Sequence, residues 1–194
     1  MNDFLPGGYK VPEKPSDYLK LTEGTHKFRI LTSPILGWEV WDKTGDKPQV
    51  KRYAYDAQHP ADAKHIWGIV VYNYEIKRVQ LLSISQSTIQ EDLRALASNE
   101  DWGTPLNYDI TILRTGKTMN DTKYSITPSP KKPITAEMKK AFDESGADLQ
   151  RWIDGGEAFK RSEESVEATL SDFPDVEVDA EVPDNSTEPD DMPF

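Results

Sequence analysis

The chain has 194 residues, a formal net charge of −11, 14 prolines and no cysteine. Without thiols there is no disulfide framework, no thiolate metal site and no cysteine nucleophile. No run approaches the roughly 18 consecutive apolar residues of a membrane span, and the opening MNDFLPGGYKVPEKPSDY lacks the charged-then-apolar pattern of a secretory signal. The charge is unevenly spread. Residues 162–194 hold twelve acids and no Lys or Arg, which leaves 23 bases against 22 acids in residues 1–161. The low isoelectric point therefore belongs to the C-terminal segment and not to the body. His26, His59 and His65 are spaced too loosely to favour zinc, so neither a metal nor a cofactor is expected.

In chain order, residues 1–25 carry Pro6, Gly7, Gly8, Pro12, Pro15 and Gly24 and read as an extended arm lying on the body. Residues 26–41 alternate in part and are interrupted by Ser33-Pro34 and Gly37, the pattern of a long strand with a kink or bulge. Residues 42–63 are polar and read as one long loop, a kind of connection that is usually functional or mobile. Two β-rich runs, 65–74 and 78–85, form a hairpin around Glu75, Ile76 and Lys77. The first of these is apolar on both parities, with Trp67, Ile69 and Val71 against Ile66, Val70 and Tyr72, as where both faces of a strand are covered.

Residues 86–98 change to helical spacing through Ile89, Leu93, Leu96 and Ala97, and Ser87 followed by Gln90 fits a capping box. Strands return at 108–114 and 122–127. In the first, Tyr108, Ile110 and Ile112 face one way while Asp109 and Thr111 face outward. Pro128, Pro130 and Pro133 end the sheet, and Thr135 caps a helical region over 135–161 that docks on the body. Residues 162–194 lack periodicity and cannot bury enough apolar surface to offset their ordering entropy, so disorder is expected.

This order predicts a mainly β protein, an OB-fold five-stranded Greek-key barrel over 26–134 with a helix between strands 3 and 4. Barrels of that kind bind oligonucleotides on the face of strands 2 and 3 and through the loops joining strands 1–2 and 4–5. The expected contacts in the 1–2 region are Trp38, Trp41, Lys43, Lys47, Lys51, Arg52, Tyr53 and Tyr55. The hairpin adds Tyr72, Tyr74, Lys77 and Arg78, and the 4–5 connection adds Arg114, Lys117, Lys123 and Tyr124. Cations neutralise phosphates, while flat rings accept bases without reading their identity. Trp67, within an apolar strand, reads as core.

The C-terminal tip, Asp190, Asp191, Met192, Pro193 and Phe194, is an apolar end on a polyanion. It suits a partner pocket whose basic rim meets the acids and the terminal carboxylate. It resembles the Asp-Asp-Asp-Ile-Pro-Phe ending of bacterial single-stranded-DNA-binding proteins. More broadly, residues 4–153 resemble the single-stranded-DNA-binding proteins of tailed bacteriophages through FLPGGYKVP, YLKLTEGTHKFRIL, SPILGWEVW, KHIWGIVVYNYEIKRVQLLSISQSTIQ and YDITI. The resemblance implies a non-catalytic OB-fold protein that coats single-stranded DNA in the cytoplasm of an infected bacterium. It also implies recruitment of replication, recombination and repair proteins through the tail. A rival reading, an acidic DNA mimic or adaptor acting on a host enzyme, predicts acids spread over the folded surface, whereas the sequence segregates them. An enzyme is disfavoured because Asp109 and Asp121 are the only acids near the last two strands and form no carboxylate cluster.

Overall fold

The computed structural model describes residues 16–45, 48–118 and 120–160. The arm before Ser16, Lys47, and the acidic segment with Asp190, Asp191, Met192, Pro193 and Phe194 lie outside these residues. Seven strands form one antiparallel sheet: β1 (Gly24–Ile30), β2 (Ile35–Asp42), β3 (Gln49–Ala54), β4 (Lys64–Asn73), β5 (Arg78–Ile84), β6 (Asp109–Thr115) and β7 (Lys123–Pro128). Three helices accompany them: α1 (Ser87–Ser98), α2 (Ala136–Ser145) and α3 (Leu149–Ile153). Along the sheet the order is β3-β2-β4-β1-β6-β7, with β5 on β4. Two more strands are present than the sequence predicts, and each has a local cause.

The run expected as one kinked strand is two, β1 and β2, because Pro34 cannot donate to a ladder. Both halves still lie along β4. Ile30 pairs with Val71 and Ile35 with Gly68. Across the break Leu31 N–H donates to the Val70 carbonyl at 2.9 Å, and the Thr32 hydroxyl accepts from Val70 N–H at 3.1 Å. The threonine hydroxyl thus gives the Val70 N–H an acceptor where the ladder is interrupted. The other addition, β3, forms inside the segment expected as a loop and pairs with β2 from Gly37↔Ala54 to Asp42↔Gln49.

Strand parity sorts the side chains into two cores. One face of β1, β4, β5 and β6 gathers Phe28, Ile69, Val71, Leu82, Ile110 and Ile112, all buried, and α1 closes it with Ile89 and Leu93. The opposite face of β4 and β5 is covered by the C-terminal helices. Ile66 and Leu81 pack on Trp152 and Ile153, and Val70, Tyr72 and Val79 pack on Met138. That double coverage is why β4 is apolar on both parities. Close approach requires glycine twice: a Cβ at Gly68 would enter the Trp152 ring, and one at Gly37 would meet Ile153.

The second edge of β5 is taken by the N-terminal segment, where Leu19 N–H donates to the Leu81 carbonyl at 2.9 Å and Leu81 N–H to the Asp17 carbonyl at 2.8 Å. Among the described residues no ladder joins β5 to β7, so the sheet is open. The capping box at α1 does not form. Gln86 is the N-cap without a side-chain bond, and Gln90 Nε2 instead donates to the Ile84 carbonyl at 2.9 Å. At α2 the Thr135 hydroxyl accepts from Met138 N–H at 3.3 Å, as expected of a cap. Among the described residues no helix is long and apolar enough to cross a membrane.

Candidate nucleic-acid interface

The β2–β3 hairpin assembles most of the aromatic and basic residues anticipated for the 1–2 region. Trp38 lies opposite Tyr53 on one side and His65 on the other. Its ring stacks on His59 at 4.1 Å between centroids and lies at 5.1 Å from His65 and 6.4 Å from Tyr55. Trp38 Nε1 donates to the Tyr55 carbonyl at 3.1 Å, so the indole fixes the backbone that carries Tyr55. Two rings of the hairpin region stay largely exposed, Tyr55 at 59% and Trp41 at 56%. Large aromatic side chains are more often buried than this.

The cations of this region divide into two kinds. Lys43 is exposed. Lys51 Nζ lies 2.7 Å from Asp42, whose carboxyl is held well below the usual range first by Lys51 and then by Thr44, while Asp42 raises Lys51 in return. Arg52 is spent on structure. Its Nε is 3.3 Å from Glu39, and its guanidinium lies over the Trp152 ring at 4.5 Å, tying the hairpin to α3. Lys47 lies outside the described residues.

The remaining anticipated residues are not all available. Tyr72 is buried under α2, and its hydroxyl donates to Glu137 at 3.2 Å; burial, then Glu137, pushes the phenol up. It is a core residue, a correction that follows from the helices occupying the outward face of β4 and β5. Arg114 Nη1 donates to the Leu21 carbonyl at 2.8 Å and holds the N-terminal segment, and Tyr124 packs half-buried against the first core. Arg78 sits 3.7 Å from Asp17. Lys77, in a left-handed turn at φ 51°, and Lys117 and Lys123, flanking the β6–β7 turn, are exposed. In that turn Asp121 accepts from Thr118 N–H and hydroxyl, both at 2.6 Å. By register the hairpin end, Asp42↔Gln49, and the β6–β7 end, Gly24↔Arg114, lie at opposite ends of the β1–β2 path.

A further group was not anticipated. Asp109, expected to face solvent, is fully buried, although its parity is the outward one. The residues after β7 cover it: Lys132 Nζ is 2.7 Å and Lys27 Nζ 3.6 Å from its Oδ2. Arg29 Nη1 is 3.4 Å from Oδ1, and the Tyr74 hydroxyl donates to Oδ1 at 2.8 Å. Burial alone would raise this carboxyl, but Lys132, Tyr74 and Arg29 together hold it below its ordinary value. Tyr74 is pushed up, first by burial and then by Asp109. The available signal was Lys27 and Arg29 on one strand, with a lone acid at the start of another.

Compared with models of known protein families, with curated proteins and with solved structures, the chain gives no match.

Proposed function

We propose that the protein binds single-stranded DNA without strong sequence preference, using the β2–β3 hairpin as its principal contact. The observation that carries this reading is the exposed Tyr55 on the Trp38–His59 stack, on a hairpin that also carries the exposed Trp41, Lys43 and Lys51. A sequence-tolerant single-strand site needs such rings for bases and cations for phosphates. The connectivity supports an OB-type relationship. The β1–β4, β4–β5, β1–β6 and β6–β7 ladders are compatible with a five-stranded Greek key in which β2 extends the first strand and β3 is added in the first loop. Here the α2 and α3 helices occupy the face of β4 and β5 that such folds offer to bases, which favours a path along the hairpin.

In this reading the acidic segment moderates binding by competing with phosphate, and Asp190, Asp191, Met192, Pro193 and Phe194 recruit replication and repair proteins, as in the replication apparatus of a phage-infected bacterium. The test is titration of a labelled oligo-dT, followed by anisotropy, against a duplex of equal length. Tight, salt-sensitive retention of the single strand with much weaker retention of the duplex is the expected result. Indifference to oligo-dT at low salt overturns the proposal.

A further inference from the structure

Arg29 and Asp109 are both buried and balance one another, so Lys27 and Lys132 bring two surplus positive charges to one place. Their ammonium groups converge on the same carboxylate oxygen and lie 5.6 and 5.3 Å from the centroid of the same ring, Tyr74. The two side chains remain 50% and 45% exposed. An ammonium carries three donors, and Asp109 takes one from Lys132 and at most a long contact from Lys27, so donors remain for an external acceptor. The backbones are fixed as well. Lys27 sits in β1 opposite Thr111, and the Lys132 carbonyl accepts from Arg29 Nη2 at 2.6 Å. Glu137, which reaches the neighbouring Tyr72, is engaged by that hydroxyl.

We propose that Lys27 and Lys132 form a clamp for one phosphodiester of a bound strand, one ammonium to each non-bridging oxygen, with the buried Asp109–Arg29 pair as the scaffold that holds them together. The inference rests on the single-strand-binding reading and adds a second contact, away from the hairpin. Asp109 alone needs only one lysine to satisfy its second oxygen; the other has no structural requirement as strong. Ordering two long side chains before the ligand arrives lowers the entropy lost on binding.

The experiment uses the full chain and oligo-dT. Lysine reactivity toward reductive methylation is mapped by mass spectrometry with and without the oligonucleotide; Lys27 and Lys132 are expected to be protected by it, beside Lys43. In parallel, the Lys27→Gln/Lys132→Gln variant should lower the log–log salt slope of binding by about 0.7, the value for one phosphate on a single strand, and the double Arg variant should restore it. If the wild type binds oligo-dT but both lysines stay reactive and the Gln variant keeps its slope, the clamp is wrong and the hairpin reading stands. If the wild type does not bind oligo-dT, both fall. Protection that is already present without DNA and vanishes on deleting residues 162–194 would assign the lysines to the chain's own carboxylates and overturn the clamp.

Discussion

Arg29 and Asp109 stand opposite each other in the β1–β6 ladder and meet through Nη1 and Oδ1 at 3.4 Å, both essentially without solvent contact. The guanidinium is further occupied by the Leu106 and Lys132 carbonyls, at 2.9 and 2.6 Å. The pair therefore joins three stretches of chain: the central strand, the turn before β6 and the segment after β7.

Breaking the pair from one side leaves a buried charge without its partner. Asp109→Asn should destabilise the fold by roughly 3–5 kcal/mol, read from urea unfolding. A loss under about 1 kcal/mol, the range of exposed pairs, would show that Arg29 is satisfied by the carbonyls alone.

The same carboxylate gives stability a pH dependence. Its folded-state value is depressed, so between that value and the unfolded one, about 3.9, the unfolded chain binds more protons than the folded chain. Its contribution is complete above the unfolded value and is lost as pH falls through the folded one. The stability gap between wild type and Asp109→Asn should thus shrink on moving from neutral pH into the acid range. A gap that holds constant into strong acid would contradict this.

Trp41→Ala and Tyr55→Ala should each weaken oligo-dT binding by about 1–3 kcal/mol, the range for a ring that stacks on a base. Because both rings are exposed, unfolding should move by no more than about 0.5 kcal/mol. Tyr72→Phe is the converse control. It removes the hydroxyl from Glu137 and should cost about 1 kcal/mol of stability while leaving DNA affinity unchanged.

Gly68→Ala places a methyl group in the Trp152 ring. The overpacking should cost roughly 1–3 kcal/mol and loosen α3, seen as faster amide exchange over Leu149–Ile153. Unaltered exchange there would mean the ring has room to retreat.

Deleting residues 162–194 removes twelve acids and no bases, so oligo-dT affinity should rise, most at low salt where charges are least screened. Equal or weaker binding would remove the competing role proposed for that segment.

The sequence was legible where periodicity reported burial. The alternation of β1, β6 and the β4–β5 hairpin, the spacing of α1 and the Thr135 cap all follow from local pattern. It was illegible where a tertiary cover decided the outcome. Asp109 has the parity of an exposed residue, and only the return of Lys132 from beyond β7 buries it. Tyr72 reads equally well as a base-stacking ring or as core until α2 is laid over it. Gln90 looked like a cap, but the Ile84 carbonyl competes for its amide. Within the hairpin, composition alone could not separate Arg52, committed to Glu39 and Trp152, from the exposed Lys43.

The five tryptophans are distributed in a way that affects any optical titration of this protein. Trp38 and Trp41 sit on the hairpin, whereas Trp67 and Trp102 pack against the first core and Trp152 lies wholly within the second. A ligand seated on the hairpin reaches two emitters and leaves three in place. Saturation would then appear as a partial loss of signal with a residual blue-shifted emission, and a plateau well above zero would indicate full occupancy and not a mixture of bound and free protein.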